Sequence, residues 1–291
     1  MTANGTTNGA LRLAVPNKGR LAEPAVELLR AAGLEFELSE RRLSASVANA
    51  DLELLFVRTE DIAEYVADGL VELGLSGADL IAEHGGELRT ILPLGFGACS
   101  LVLAVPRDGD AQTVEALRGR RIATSFPRVT GAYLEGCGVA AQVVEVRGAV
   151  EVTPQLGVAD AVVDLVASGS TLRMNGLKPI ATLLASEAVL VARDGTAEAD
   201  ERIGALVDML RSVLDARGRE YMMMNAPAAA LDRIRSIIPG LSGPTVMPLA
   251  DPTQIAIHSV VERSQLWRIV PALKAAGARD ILVVPIEKVM R

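Results

Sequence analysis

Residues 151–172, EVTPQLGVADAVVDLVASGSTL, decide the fold because an apolar run there leads directly into a short loop of glycine and hydroxyl residues. Residues 159–166 are rich in Val and Ala, which predicts a buried strand that ends at the loop, with a helix after it. Backbone N–H groups and hydroxyls at such a junction favour a phosphate. Asp160 and Asp164 favour a ligand with sugar hydroxyls, or a bridging Mg²⁺. The loop at 168–171 therefore predicts a site for a phosphorylated sugar, although its four residues alone are also typical of a plain turn.

The composition is that of an ordinary globular chain, with 50% hydrophobic and 22% charged residues among 291. A net charge of −7 argues against a nucleic-acid partner. Cys99 and Cys137 have no metal-ligand spacing, so neither a disulfide framework nor a zinc site is expected. No apolar run reaches the roughly 20 residues that span a bilayer, and residues 1–10 do not read as a signal peptide. We therefore expect a cytoplasmic protein without a membrane partner.

The first predicted strand, LRLAV, leads into the basic turn PNKGR and then into a helical pattern. Lys18, Gly19 and Arg20 thus follow the C-terminal end of a strand, which is where open α/β sheets bind ligands. The predicted strand LELLFVR ends at Arg58, and a strand-to-glycine junction, GLVELGLSGAD, ends at Asp79. We expect these residues to lie along one edge of a sheet.

The order of predicted elements indicates two α/β lobes joined by crossing strands, a type II periplasmic-binding-protein-like core with its ligand cleft between the lobes. The first lobe is expected at residues 1–97 plus 187–217 and the second at 98–186. FELSE and SASVA are predicted strands of the first lobe. Residues 218–291 read β-α-β-β-α-β, which predicts a separate ferredoxin-like domain.

A long set of residues resembles the signature of the ATP phosphoribosyltransferases, which open histidine biosynthesis: Glu151, Pro154, Gly157, Asp160, Asp164, Ser168, Gly169, Thr171 and Leu172. The resemblance is to the long form of the family and extends from about Leu11 to Val289, through AVPNKGRL, FVRTEDI, LGLSGADL, RIATSFP, PGLSGPT and AAGARDILVVPIEK. It implies a pentosyltransferase that joins ATP to phosphoribosyl pyrophosphate with Mg²⁺, giving N1-(5-phosphoribosyl)-ATP and pyrophosphate. It also implies an ACT-like C-terminal domain that senses histidine, and homodimers that associate into hexamers.

The same resemblance assigns roles to matching residues. Asp164, Glu151 and Arg20 are the candidate catalytic residues, and Asp164 would contact the ribose hydroxyls. Phosphoribosyl pyrophosphate would bind Asp160, Asp164, Ser168, Gly169, Ser170 and Thr171. ATP would bind Lys18, Gly19, Arg20, Arg58, Asp79 and Glu151, with Arg41 or Arg42 as a further cation. Mg²⁺ would be carried mainly by the substrates.

The expected chemistry needs no strong base, because N1 of adenine is itself the nucleophile. Displacement at the anomeric carbon builds positive charge on the ribose and negative charge on pyrophosphate, so placed charges matter more than proton transfer. His84, beside a Gly-Gly turn, and His258 are accordingly poor candidates for a general base.

In the C-terminal domain, Asn225, Thr245 and Asp280 are the candidate contacts for histidine. Asn225 stands where some relatives have an acidic residue, so Asp280 is expected to supply the negative charge for the ligand's ammonium. Two other functions fit the same fold. One is a cytoplasmic module that binds a small anion, and the other is an amino-acid sensor without catalysis, like relatives that pair with a short form of the enzyme.

Overall fold

The computed structural model describes residues 9–38, 43–196, 200–238, 240–241 and 243–290. Arg41 and Arg42 lie outside the described residues. The chain divides into two compact units, Met1–Val207 and Asp208–Arg291. Within the described residues there are three β-sheets, two in the first unit and one in the second.

The described strands are, in chain order, β1 (Leu11–Pro16), β2 (Ser44–Ser46), β3 (Leu52–Val57), β4 (Leu73–Gly77), β5 (Leu88–Pro93), β6 (Cys99–Pro106), β7 (Arg121–Thr124), β8 (Gln142–Glu145), β9 (Ala161–Val166), β10 (Leu177–Ser186), β11 (Ala188–Arg193), β12 (Arg219–Pro227), β13 (Thr245–Pro248), β14 (Gln254–Glu262) and β15 (Arg279–Pro285). The described helices are α1 (Ala22–Ala31), α2 (Ile62–Ala67), α3 (Ala78–His84), α4 (Pro127–Gly136), α5 (Ser170–Met174), α6 (Glu201–Ala216), α7 (Leu231–Ile237) and α8 (Leu266–Ala275). No helix in these described ranges is long and apolar enough to cross a bilayer.

The first sheet has the strand order β2-β3-β1-β4-β11-β5. Its central strand β1 is parallel to both β3 and β4, and its Leu13, Ala14 and Val15 are fully buried. Because parallel strands end at one edge of a sheet, the turn after β1, Arg58 after β3 and α3 after β4 meet there. The predicted ligand edge of the first lobe is thus formed by the predicted elements.

The second sheet has the order β10-β6-β9-β7-β8, in which β7 is parallel to β8 and β9. Side chains of β9 alternate between two apolar clusters, one containing Ala161 and Val163 and the other containing Val162. Asp164 follows this alternation onto the same face as Val162. The C-terminal ends of β7, β8 and β9 again share one edge.

The chain passes from the first sheet to the second between β5 and β6, and returns between β10 and β11, where Glu187 alone separates the two strands. This arrangement confirms the predicted two-lobed α/β core. The predicted strand at FELSE is wrong for its described part, because residues 36–38 form no strand. Instead, the Arg30 guanidinium lies 5.4 Å from the centre of the Phe36 ring.

The second unit contains a four-stranded antiparallel sheet with the order β13-β14-β12-β15. With α7 and α8 between the strands along the chain, this is the ferredoxin-like arrangement that was predicted. Met222 and Met224 of β12 point into an apolar core that also contains Ile234 of α7 and Leu273 of α8. The helices therefore cover one face of this sheet.

Candidate active site

A cleft of about 990 Å³ lies in the first unit, where the ligand edges of its two sheets face each other. Residues from both lobes line it, including Lys18, Arg20, Arg58, Asp79, Ser125 and Asp164. Three of the lining cations come from the first lobe, and the second lobe supplies Arg147 and the half-buried carboxylate of Asp164. Of the sequence-predicted site residues, the cavity is lined by Lys18, Gly19, Arg20, Arg58, Asp79 and Asp164. Glu151 and the loop at 168–171 are not among its lining residues.

The first-lobe wall is built on the turn between β1 and α1. Gly19 has φ +83°, a left-handed conformation that favours glycine, and it lies between the exposed side chains of Lys18 and Arg20. The Arg20 guanidinium donates to the Gly97 carbonyl and lies 3.5 Å from the Asp79 carboxylate. Arg58 is exposed at the end of β3. Three cations thus stand on one wall.

Asp79 is almost completely buried, at 1% exposure, at the start of α3. Its Oδ1 accepts a hydrogen bond from the Ser186 hydroxyl at 2.6 Å, and its backbone N–H donates to the same hydroxyl at 3.0 Å. A Cβ atom at Gly77 would clash with that Oδ1, so glycine leaves room for the carboxylate in this rotamer. Asp79 lines the cleft as predicted, but its carboxylate already pairs with Ser186 and Arg20.

Asp164 lies on β9 and accepts a hydrogen bond at 2.8 Å from the N–H of Leu165. Burial raises the pKa of Asp164, the Leu165 N–H opposes that shift, and the nearby Glu151 carboxylate raises the pKa further. Glu151 lies in the 3-10 turn Val150–Val152, which follows Ala149 at φ 35°. The two predicted acidic residues are therefore close enough to interact.

The loop after β9 has the predicted strand–loop–helix form. Gly169 has φ +71°, and the hydroxyls of Ser168 and Ser170 are 2.9 Å apart. Thr171 is exposed in the first turn of the short helix α5. Arg173 donates from its guanidinium to the Ser168 carbonyl at 3.4 Å, so a cation stands beside the loop.

Asp160 lies away from this loop, which corrects the expectation that it lines the sugar-phosphate site. It precedes β9, whereas the loop follows β9, and six strand residues separate the two by about 20 Å. Its carboxylate accepts the N–H of Arg121 at 2.9 Å and lies 3.6 Å from the Arg120 guanidinium. Asp160 therefore pairs β9 with β7 at the opposite edge of the sheet.

The sequence reasoning missed two residues that contact candidate site residues: Arg173 beside the loop after β9, and Ser186 beside Asp79. For Arg173 a signal existed, because a cation two positions after a phosphate loop is a natural partner for an anion. For Ser186 there was none, because its partner Asp79 is 107 residues away in the chain.

In the second unit the structure joins two of the three candidate histidine contacts. The Asn225 side-chain amide donates to the Asp280 carboxylate at 3.2 Å. Thr245 is paired with His258 on β14, which in turn is paired with Met223 of β12. Thr245 therefore lies two strands from β12, about 10 Å away, and is not beside Asn225 in the same chain.

Two family models match this chain: ATP phosphoribosyltransferase (HisG) over residues 58–212, and the HisG C-terminal domain over residues 216–288. The chain belongs to the ATP phosphoribosyltransferase family. The ATP phosphoribosyltransferase of Methanosarcina barkeri is 45% identical over 287 residues, covering 96% of this chain and 99% of that protein. That of Natronomonas pharaonis is 46% identical over 281 residues, covering 96% of this chain and 100% of that protein.

A solved structure, the ATP phosphoribosyl transferase (HisG:HisZ) complex from Thermotoga maritima, matches with a TM-score of 0.61 and 28% identity. The match covers 69% of this chain and 96% of the matched Thermotoga chain. Membership of the ATP phosphoribosyltransferase family confirms the prediction of a phosphoribosyl-transferring enzyme of histidine biosynthesis. The second family model also confirms a long-form chain, because it covers the ferredoxin-like domain.

Proposed function

We propose that the cleft of the first unit binds ATP against the first lobe and phosphoribosyl pyrophosphate against the second. The observation that carries the proposal is the distribution of charge in this cavity. Lys18, Arg20 and Arg58 are the cations of the first-lobe wall, which also carries acidic residues, and they face Asp164 on the second-lobe wall. Glu145 and Arg147 lie on the second-lobe wall as well. A triphosphate needs cations, whereas a ribose that gains positive charge needs a carboxylate.

On the first-lobe wall, Lys18 and Arg58 are exposed and would neutralise phosphates of ATP. Arg20 would add a guanidinium in a fixed orientation, because the Gly97 carbonyl and the Asp79 carboxylate hold it. Gly19 allows the backbone to approach the phosphates closely. Asp79 acts in this proposal through Arg20, and Glu151 contributes negative charge near Asp164.

Beyond the second-lobe wall, in the loop that follows β9, the 5′-phosphate would bind the hydroxyls of Ser168, Ser170 and Thr171 and the backbone N–H groups around Gly169. Arg173 would supply positive charge beside this loop. Asp164, on the strand that leads into the loop, would accept hydrogen bonds from the ribose hydroxyls. Asp160 has no substrate role in this proposal, since it is paired with Arg120 and Arg121.

In the reaction, N1 of adenine forms a bond to C1 of the ribose while the bond from C1 to the pyrophosphate oxygen breaks, and pyrophosphate leaves with the electron pair. Asp164 in its ionised form stabilises the positive charge that develops on the ribose ring. The two walls hold N1 and C1 in line, which supplies much of the acceleration. His84 lines the cleft, but its Nδ1 donates to the Gly85 carbonyl at 2.6 Å, and no step requires it as a base.

A divalent metal fits this cleft only together with the substrates. In the part of the chain that the structure describes, no three His, Cys, Asp or Glu side chains are grouped to hold a metal ion. Mg²⁺ is commonly held by one or two carboxylates and substrate phosphates, and Asp164, which lines the cleft, would provide one carboxylate. Bound Mg²⁺ supplies charge neutralisation for the leaving pyrophosphate.

The second unit supports regulation by histidine and assembly into homo-oligomers. It matches the HisG C-terminal domain model, and it places the Asp280 carboxylate beside the Asn225 amide. The Thermotoga maritima structure is a complex of HisG with HisZ, whereas this chain carries its own C-terminal domain. We therefore expect dimers and hexamers of this chain alone, and a biosynthetic role fits the cytoplasmic location expected from the sequence.

The decisive experiment is a spectrophotometric assay of purified protein with ATP, phosphoribosyl pyrophosphate and Mg²⁺. Arg58→Ala should raise KM for ATP about tenfold or more, as expected for the loss of a charged hydrogen bond, with little change in KM for phosphoribosyl pyrophosphate. Arg89→Ala is the matched control, because Arg89 is an exposed arginine on β5 of the same lobe.

Anion binding without turnover would indicate the binding module, and histidine binding without turnover would indicate the sensor. An unchanged KM for ATP in Arg58→Ala would remove Arg58 from the site.

A further inference from the structure

A buried polar cluster joins the two lobes where the chain returns from the second sheet to the first. Ser186 is the last residue of β10 in the second sheet, and Asp79 is in the first turn of α3 in the first lobe. Ser186 is 5% exposed and Asp79 is 1% exposed, so water cannot replace the contact between them. This pair connects the lobes at a point beside the cleft.

The cluster continues from Asp79 to the wall of the cleft. One oxygen of the Asp79 carboxylate accepts the Ser186 hydroxyl at 2.6 Å, and the other lies 3.5 Å from the Arg20 guanidinium. The Arg20 side chain is 37% exposed and lines the cleft. Ser186 does not line the cleft, so it affects a ligand there through the residues that it contacts, and Asp79 connects it to Arg20.

A serine suits this position because its hydroxyl does two things at once. It donates to Asp79 Oδ1 and accepts the Asp79 backbone N–H at 3.0 Å. Together these bonds fix both the rotamer of Asp79 and the start of α3. Without the hydroxyl, a buried carboxylate oxygen would lose its hydrogen-bond donor, which favours rotation of the carboxylate towards another donor. Such a rotation would move the oxygen that faces Arg20.

Cys99 is the neighbour of Ser186 across the β6–β10 pair. Burial raises the pKa of the Cys99 thiol, and the nearby Arg20 guanidinium opposes that shift. Hydrogen bonds of Cys99 with Arg20 and Ser186 also oppose the shift, so the thiol belongs to the cluster as a neutral group at neutral pH. The charge balance of the cluster depends on Asp79 and Arg20.

We propose that Ser186 is a positioning residue for the phosphoribosyl transfer, because it orients Asp79, which in turn aims the Arg20 guanidinium at the phosphates of ATP. This inference rests on the proposed role of Arg20 at the ATP site. Ser186 belongs to the second lobe, but it would affect the binding of ATP, the substrate proposed for the first lobe. Loss of the Ser186 hydroxyl should therefore weaken ATP binding selectively.

The test measures KM for each substrate, and kcat, in Ser186→Ala. KM for ATP should rise about threefold to tenfold, less than for direct loss of a charged hydrogen bond, since Arg20 keeps its bond to the Gly97 carbonyl. KM for phosphoribosyl pyrophosphate should change by less than about twofold. Ser186→Thr, which keeps the hydroxyl, should restore KM for ATP towards the wild-type value. Ser212→Ala is the control for loss of a buried serine hydroxyl, because Ser212 donates only to the local Met209 carbonyl, at 2.7 Å.

A double-mutant cycle separates the positioning role from a structural one. In an Arg20→Ala background, Ser186→Ala should cause no further rise in KM for ATP, because the group it positions is absent. Additive effects of the two substitutions would overturn the proposal. Equal rises in both KM values for Ser186→Ala would overturn it as well, since they would indicate general damage to the cleft.

The outcome for Arg20→Ala alone distinguishes this inference from the proposed ATP site. If Arg20→Ala leaves KM for ATP unchanged, the ATP assignment of Arg20 fails and the role of Ser186 fails with it. If Arg20→Ala raises KM for ATP and Ser186→Ala does not, only the positioning role is overturned. Should Ser186→Ala fail to fold, Ser186→Val removes the hydroxyl while keeping the shape of Ser186→Thr, and equal KM values for ATP in these two variants would overturn the proposal.

Discussion

The Glu83 carboxylate accepts hydrogen bonds from the backbone N–H groups of Arg128 at 2.7 Å and Val129 at 2.9 Å. Glu83 belongs to α3 of the first lobe, whereas Arg128 is in the first turn of α4 in the second. The Arg128 guanidinium also donates to the Ala82 carbonyl at 2.6 Å. Because Ser186 holds the other end of α3, this helix is fastened to the second lobe at both ends.

We expect Glu83→Gln to destabilise the first unit by about 1 kcal/mol, because the first N–H groups of α4 lose a charged cap. That loss corresponds to a fall of roughly 2–4 °C in Tm for a unit of this size. Glu87→Gln, an exposed carboxylate shortly after α3, is the control and should leave Tm unchanged. Calorimetry that shows the same Tm for Glu83→Gln and wild type would mean that the contact adds nothing to stability.

The loop after β9 provides a second prediction. Removal of the Thr171 hydroxyl in Thr171→Ala should raise KM for phosphoribosyl pyrophosphate about tenfold to a hundredfold, the usual cost of one hydrogen bond to a charged group. KM for ATP should change much less. Thr171→Ser should behave like wild type, and Thr113→Ala is a control in the same lobe. Equal KM values for phosphoribosyl pyrophosphate in wild type and Thr171→Ala would show that the phosphate binds elsewhere.

The sequence predicted this loop because the signals there are local. An apolar run before Ser168 specifies the strand, and Gly169 permits the left-handed turn at φ +71°. The same local logic correctly placed Lys18 and Arg58 at strand ends. Residues that follow a strand of known direction can be assigned to an edge without knowledge of the rest of the fold.

Contacts between distant parts of the chain could not be read in this way. Asp160 carries the same charge as Asp164 and lies four positions earlier, but strand direction puts it at the far edge, where Arg121 pairs with it. The capping of α4 by Glu83 depends on how two lobes meet, which no local pattern encodes. Tertiary geometry thus decided the roles of these acidic residues.

Asp164 should make both turnover and stability depend on pH. Burial raises the pKa of Asp164 above its ordinary value. The hydrogen bond from the Leu165 N–H opposes that shift, and the Glu151 carboxylate adds to it. Since the folded state then binds the proton more tightly than the unfolded chain, the ionised carboxylate costs stability above the raised pKa. This cost disappears as the pH falls below the ordinary pKa of aspartate. Turnover should show the reverse trend, because the ionised form is the one that stabilises the ribose cation.

We therefore expect Asp164→Asn to lower kcat on the order of a hundredfold at neutral pH, as for loss of a group aimed at transition-state charge. The same variant should unfold at a higher temperature than wild type at pH 7, with the difference vanishing in acid. The acidic limb of the wild-type kcat profile that reflects Asp164 should be absent. A variant with wild-type kcat would exclude this role, and one less stable than wild type at pH 7 would show that burial is not costly at this site.

The last prediction concerns histidine and the pair formed by Asn225 and Asp280. Asp280 has φ +52°, a left-handed conformation that asparagine also adopts readily, so Asp280→Asn removes the charge without straining the backbone. If the Asp280 carboxylate pairs with the ammonium group of bound histidine, the variant should need about tenfold more histidine for half-inhibition, with kcat unchanged in its absence. Asn225→Asp should lower the histidine concentration for half-inhibition. Asp232→Asn, which changes an exposed carboxylate on α7, is the matched control.

Because effector and substrate occupy different sites, inhibition should not be competitive with phosphoribosyl pyrophosphate. Unaltered half-inhibition in both variants would place the histidine site elsewhere in the chain.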